Sequence, residues 1–281
     1  TGSGPKGRIL KEDVTAWVKQ ALGARAPAAA AGAAAGAGIP PIPAVDFSQF
    51  GPVEAQDLPR IKRLSGPHLH RAWLNLPMVT HHDEADVTEM EAFRGSLKAE
   101  AEKQGVRVTA LVFIIKALVD ALRAFPSFNA SLSPDGQQLV LKKYFHVGIA
   151  VDTPNGLVVP VIRDVDGKSL YDLSRELATL SEKARNGKLA PGDMQGGCIS
   201  ISSLGGIGGT GFTPIVNAPE VAILGVCRAR MQPVWDGKTF VPRLLLPLDL
   251  TYDHRVIDGA AAARFCARLC QTLGDIRRLL L

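Results

Sequence analysis

The chain has 281 residues, of which 46% are hydrophobic and 21% charged, with 28 glycines, 19 prolines and a formal net charge of +5. That composition excludes a wholly disordered, collagen-like or disulfide-stapled protein and leaves enough apolar material for a large core. The positive balance is small for this length, and it is local. Residues 1–25 hold Lys6, Arg8, Lys11, Lys19 and Arg25 against Glu12 and Asp13, a net of +3, so the remaining residues are close to neutral and a nucleic-acid surface is not expected.

In chain order, a short basic segment over residues 1–23 comes first. Residues 24–45 follow, with 11 Ala, 4 Pro and 3 Gly among 22 positions, a composition without a large apolar face that reads as a mobile, partly stiffened linker. From residue 46 one continuous domain runs to residue 281. No apolar run approaches the length of a membrane span and no secretory leader is evident, so the chain is expected to be a soluble piece of a longer one, without membrane contact. Cys198, Cys227, Cys266 and Cys270 form no CxxC pair and have no histidine at metal-ligand spacing, which suggests reduced apolar side chains in a cytoplasmic protein and no metal site.

Within the large domain, Thr88-Glu89-Met90-Glu91 matches a capping box, and Met90, Phe93 and Leu97 continue at helical spacing to about Gln104, with Gly105 as the stop. A second helix is predicted from Thr109 to Phe125, ended by Pro126. Residues 139–151 and 157–162 are rich in β-branched and aromatic side chains and flank Asp152-Thr153-Pro154-Asn155-Gly156, a hairpin pattern. Ser169 is expected to cap a third helix that ends near Asn186 and Gly187. Strands are predicted over 198–204, 221–226 and 244–252, then a helix from Asp258 to the C-terminus with Ala261, Phe265, Leu269, Leu273, Ile276 and Leu280 on one stripe. Without a strict strand-helix-strand rhythm, the fold class is α/β, a mixed sheet packed by helices.

Several residues invite a chemical reading. Residues 206–211 spell G-x-G-x-x-G, but Phe212-Thr213-Pro214 follows where a pyrophosphate-binding helix would have to open, and the position about 20 residues on holds Arg228 rather than an acid. A close backbone approach to another chain or a ligand is the better account of those glycines, and a nicotinamide oxidoreductase is disfavoured. His81, His82, Asp83 and Asp86 fall on an extended segment whose neighbours alternate faces, which argues against a metal cluster. His68 and His70 read as packing or surface residues and His146 as a core or interface histidine. His254 differs, because it joins an apolar strand to the final helix, where a ring nitrogen can face a cleft and accept a proton near neutral pH. Asp258 is placed to cap that helix. Ser202 and Ser203 end a strand just before the glycine run and could donate to a developing oxyanion.

DHRVIDG at 253–259 resembles the active-site signature of the dihydrolipoamide acyltransferases, the core components of 2-oxo acid dehydrogenase complexes. ISSLGGIGGTGFTPIVNAPEVAILGV at 201–226 resembles that family's second signature in its acetyl-specific, pyruvate dehydrogenase form. LPMVTHHDEAD at 76–86, VDTPNGLVVPVIRDV at 151–165 and MQPVWDGKTFVPRLLLPL at 231–248 are similar to the same branch. The resemblance implies a chloramphenicol-acetyltransferase-like fold and acetyl transfer between a dihydrolipoyl arm and coenzyme A, a substrate whose contact residues stay unassigned. It further implies His254 as general base, Ser202 as oxyanion donor and Asp258 in an orienting role.

It also implies an active site shared between neighbouring subunits of a trimer, trimers at the corners of a cubic core, and association with pyruvate dehydrogenase, dihydrolipoamide dehydrogenase and lipoyl domains. TGSGPKGRILKEDVTAWV at 1–18 resembles the C-terminal half of the family's peripheral-subunit-binding domain, whose other helix would lie upstream. Half a mini-domain has little core, so residues 1–45 are expected to be poorly ordered or dispensable. No Asp-Lys-Ala lipoylation turn occurs; the Asp-Gly-Lys runs at 166–168 and 236–238 do not match it, so the lipoyl group is expected on a domain outside this chain. A branched-chain or succinyl acyltransferase, or a non-catalytic scaffold subunit of the same family, are the alternatives.

Overall fold

A computed structural model of the chain describes residues 3–23 and 39–280 and divides it into two compact units, Thr1–Ala55 and Gln56–Leu281. Most of the predicted linker, residues 24–38, lies outside the described residues. In the first unit, helix α1 covers Lys11–Gly23. The Asp13 carboxylate accepts from the backbone N–H of both Ser3 and Leu10, at 2.8 Å each, which closes the segment onto the helix start. Residues 3–23, part of the segment 1–45 expected to be poorly ordered or dispensable, therefore contain local structure.

The second unit is built on a mixed sheet whose strands are β1 (Met78–Asp86), β4 (Val147–Ile149), β5 (Val161–Ile162), β6 (Ile199–Ser203), β7 (Ala222–Val226), β8 (Arg230–Trp235) and β9 (Phe240–Asp253). The order is β1-β9-β7-β6-β4-β5, with β8 along the first half of β9. Only the β4–β6 and β6–β7 pairs are parallel. A separate pair, β2 (Ala130–Leu132) with β3 (Leu139–Leu141), stands apart. Helices α2 (Arg60–Asn75), α3 (Thr88–Ser96), α4 (Lys98–Lys103), α5 (Ala110–Ala124), α6 (Leu170–Arg185) and α7 (Gly259–Gly274) complete the unit. The core joins α5 and α7 to the sheet; Phe113, Ile115, Leu118 and Leu122 of α5 are buried, and Phe265 of α7 stacks on Phe128 at 4.1 Å between ring centroids. Each such side chain contributes about 1.5–3 kcal/mol through removal from water.

The sequence places most elements correctly in type, with several differences. The helix predicted over 88–104 breaks at Leu97, and its cap is not Thr88: the Thr88 hydroxyl donates to Asp86 (2.6 Å) and accepts from the Leu244 amide of β9 (2.8 Å), so tertiary partners take the side chain that a local box would have used. The strand predicted over 139–151 is two strands, because residues 139–141 pair back to β2 while only 147–149 enter the main hairpin. The last helix stops at Gly274, and Asp275, with φ −141°, turns the chain into a 3₁₀ segment, Ile276–Leu280. Helix α2, which runs through Pro67, and strands β2 and β8, the latter containing Pro233, are elements beyond those predicted. The third helix matches its prediction: Ser169 accepts from the Asp172 amide, Asp172 reaches back to the Ser169 amide, and Gly187 adopts φ +65° after its end.

Candidate active site

Strand β9 carries the chain into the turn that presents His254. Apolar burial along Leu246–Tyr252, between β1 and β7, fixes the register, and the backbone N–H of His254 donates to Pro77 carbonyl at 3.0 Å. The two residues flanking His254 anchor the turn. Asp253 is buried and takes a bidentate clamp from the Arg255 guanidinium, with Arg255 Nε at 3.0 Å from Oδ1 and an outer nitrogen at 2.6 Å from Oδ2. The His254 ring is exposed and stands 5.9 Å from that of buried Tyr252, with no side-chain hydrogen bond of its own among the described residues. An imidazole held by its backbone and free at both nitrogens can accept a proton from an incoming thiol.

Asp258 caps α7, accepting from the Ala261 amide at 2.7 Å. Its carboxylate is thereby committed to the helix N-terminus, where negative charge is favoured. Ser202 lies near the end of β6 and is half-buried, with no hydrogen-bond partner for its hydroxyl among the described residues. After Ser203 the glycine run turns through Gly208 and Gly209, the latter at φ +93°, and the chain continues without a helix to β7.

His254 and Ser202 do not meet within one chain. Ser202 is level with Gly225 of β7, and Gly225 is level with Asp249 of β9, so the histidine lies five residues farther along β9 than the rung that holds the serine. At about 3.3 Å per residue that is roughly 17 Å along the strand direction alone, far beyond hydrogen-bond reach. Two cavities lie near these segments, and neither is lined by His254 or Ser202. One of about 380 Å³ is lined by Asn75, Ser133, Glu220, Asp253 and Arg255 beside the histidine turn. The other, about 600 Å³, is lined by Thr109, Asp152, Arg185, Ser203, Gly205 and Arg228. One chain thus holds the two candidate residues well apart along the sheet.

Among the remaining histidines, His81 and His82 point to opposite faces of β1, and His82 Nδ1 lies 2.6 Å from the buried Asp249 carboxylate. His68 on α2 bonds Asn217 at 3.2 Å, and His146 Nδ1 accepts from the Asp164 amide at 3.0 Å. Sequence reasoning missed Glu220. It is 5% exposed, its Oε1 accepts from Ser200 (3.0 Å) and Asn217 (3.2 Å), and its Oε2 is buried without a partner. Burial pushes its carboxyl up to about 7, against the opposing pull of those donors and of Lys142. The motif NAPEV gives no local sign of this, because an acid beside proline normally marks a solvated turn. The cysteines are free; burial pushes the thiols of Cys266 and Cys270 up, that of Cys266 to about 12.

Residues 51–281 match the family model described as 2-oxoacid dehydrogenases acyltransferase (catalytic domain). The chain is 63% identical over 279 residues to the dihydrolipoyllysine-residue acetyltransferase component of the pyruvate dehydrogenase complex from Pseudomonas aeruginosa, covering 99% of this chain and 51% of that protein. The Cupriavidus necator protein of the same name is 60% identical over 285 residues, covering 100% of this chain and 51% of its own length. The chain therefore spans about half the length of the curated relatives it matches. Two solved structures superpose with a TM-score of 0.86 at 60% identity, covering 86% of this chain and all of theirs. One is Azotobacter vinelandii dihydrolipoamide acetyltransferase, studied for the role of a serine, a histidine and an asparagine in its catalytic mechanism. The other is the cubic core of the pyruvate dehydrogenase multienzyme complex.

Proposed function

The chain belongs to the 2-oxoacid dehydrogenase acyltransferase family, and from that premise we propose that it moves an acetyl group between a dihydrolipoyl arm and coenzyme A while forming the core of a pyruvate dehydrogenase complex. The observation that carries the reading is positional. The serine, histidine and asparagine investigated in the Azotobacter vinelandii enzyme stand at the same separations along the chain as Ser202, His254 and Asp258 do here, the last with aspartate in place of asparagine.

The chemistry follows from thiol acidity. A thiol with a pKa near 8.5 is only slightly ionised at neutral pH, so His254 takes its proton as the sulfur attacks the acyl carbon of the thioester. The carbonyl oxygen becomes an oxyanion, to which the Ser202 hydroxyl donates a hydrogen bond. The intermediate collapses with cleavage of the original carbon–sulfur bond, and the departing thiolate recovers the proton from His254. The offset of roughly 17 Å within one chain supports a site in which His254 of one subunit meets Ser202 of its neighbour, as the family's trimer implies. Asp258 orients the turn through the helix cap.

Residues 46–281 are the proposed acyltransferase domain and 24–45 its tether, while 1–23 are the C-terminal half of a module that docks the pyruvate dehydrogenase and dihydrolipoamide dehydrogenase subunits through basic charge. Lipoyl domains of the complex deliver the acyl group. Among the described residues no helix is long and apolar enough to cross a membrane, and a cytoplasmic assembly is proposed from the bacterial pyruvate dehydrogenase relatives. The test is transfer from acetyl-, succinyl- and isobutyryl-CoA to dihydrolipoamide. Preference for acetyl-CoA, lost in His254→Ala with the assembly intact, is expected. A preference for either of the larger groups, or full turnover in that variant, overturns the assignment.

A further inference from the structure

Ser202, Gly225, Asp249 and His82 occupy a single rung across β6, β7, β9 and β1, and residues level with one another in a sheet share a face. The rung is built around an aromatic ring. A Cβ on Gly225 would lie 3.0 Å from Phe212 Cε1, from Phe212 Cζ and from Asp249 Cβ, so the missing side chain leaves the slot that the Phe212 ring fills between Ser202 and Asp249. Phe212 follows the glycine run that begins three residues after Ser202 at Gly205, and this run has no strand or helix of its own to hold it.

What holds it is Asp249. Its Oδ2 accepts the Phe212 backbone N–H at 3.1 Å and the Cys227 thiol at 3.6 Å, and its Oδ1 accepts from His82 Nδ1 at 2.6 Å. Asp249 is 2% exposed, whereas the His82 side chain is 61% exposed, on the rim of a cavity of about 260 Å³ that Thr210 and Gly211 of the same run also line. A buried carboxylate keeps one geometry only when its lone pairs are taken up; without a donor at Oδ1 it would turn toward water and release the Phe212 amide. A buried acid tied across three segments does little for binding a substrate that reaches only Ser202, but it sets where the wall beside Ser202 stands.

We propose that His82 and Asp249 are positioning residues for the acyl-transfer reaction: the histidine orients the buried carboxylate, and the carboxylate pins Phe212 over Gly225, fixing the wall that aims the Ser202 hydroxyl at the oxyanion. The role rests on the acyl-transfer reading of this site. It concerns geometry needed only when the oxyanion forms, so its loss lowers kcat and leaves KM for acetyl-CoA in place.

The experiment compares the full chain in its assembled form with His82→Phe, which keeps a ring but removes the donor, and His82→Asn, whose amide N–H stands near the position of Nδ1. Acetyl transfer from acetyl-CoA to dihydrolipoamide is measured for each, with His254→Ala alongside. His82→Phe is expected to lose about 10- to 100-fold in kcat, the scale of a small misplacement of a catalytic group, with KM within about twofold, and His82→Asn to recover most of the rate. A His82→Phe kcat within about twofold of the parent, a change confined to KM, or a His82→Asn variant as slow as His82→Phe overturns the positioning role. If the parent is active, His254→Ala is inactive and His82→Phe is unimpaired, the positioning role alone falls. If the parent moves no acetyl group, the acyl-transfer reading falls and takes the role with it.

Discussion

Two inactive variants should restore each other. In one chain His254 lies five residues of β9 beyond the rung of Ser202, roughly 17 Å at about 3.3 Å per residue, while a base and an oxyanion donor must both lie within about 3 Å of the reacting group. The pair can act only if each comes from a different subunit. Ser202→Ala alone is expected to cost about 100- to 1,000-fold, or about 2.7–4 kcal/mol of transition-state stabilisation. His254→Ala alone is expected to cost about 100- to 10,000-fold.

When equal amounts of the two variants are co-expressed and assemble at random, about a quarter of the sites combine an intact histidine with an intact serine from the neighbour, so about a quarter of parental activity should return. The same assay on parent mixed with the double variant gives about a quarter for a shared site and about a half for a site within one subunit. Acetyl-CoA-dependent acetylation of dihydrolipoamide reads both mixtures. Activity of the co-assembled single variants no greater than their sum, or a half rather than a quarter with the double variant, would refute the shared site.

Other outcomes follow from local features of the fold. Glu220 is held neutral by burial, with its carboxyl at about 7 against an ordinary 4.5. Because the folded value is raised, that stabilisation is complete below about pH 4.5 and is lost as pH rises to about 7, an effect of about 3 kcal/mol. The stability of Glu220→Gln should accordingly gain on the parent by that amount between pH 4.5 and 7.5 in urea unfolding, and a constant difference would contradict it. Gly225→Ala must fit a methyl 3.0 Å from both the Phe212 ring and Asp249 Cβ, and should lower stability by about 1–3 kcal/mol in thermal unfolding. Ser169→Ala removes the capping box of α6 and should cost about 1 kcal/mol with transfer unchanged. Removing residues 1–45 should leave the transfer rate unaltered in the acetyl-CoA assay, and a marked loss would show that this segment supports the acyltransferase domain.

Local rules read correctly wherever the partners are local. Ser169, Asp172 and Gly187 start and stop α6 with groups within a turn of one another, and Asp258 caps α7 as its residue type suggests. They fail where a distant strand competes for the same atoms, as when Leu244 of β9 takes the Thr88 hydroxyl, or when β2 draws residues 139–141 away from the main hairpin. Strand β8 runs through Pro233 because it is an edge strand paired to β9 with Pro242 opposite, a place where a missing backbone donor is tolerated. At the candidate site, the DHRVIDG turn and the serine before the glycine run were legible as motifs. Asp249, His82 and Glu220 were not, because a single acid or histidine carries no sign of burial or of its partner.

By itself, then, the sequence determined the types of most elements, the mixed α/β class, the low charge of the large domain and the candidate residues for the chemistry. All of these follow from side-chain type and short-range spacing. Only the tertiary structure decided that β9 runs between β1 and β7, and with it that Ser202 and His254 stand roughly 17 Å apart along the strands while Ser202, Gly225, Asp249 and His82 share one rung. Strand neighbours and register are set by burial of the whole sheet between α5, α7 and the rest of the core, a balance over residues far apart in the chain that no local window contains.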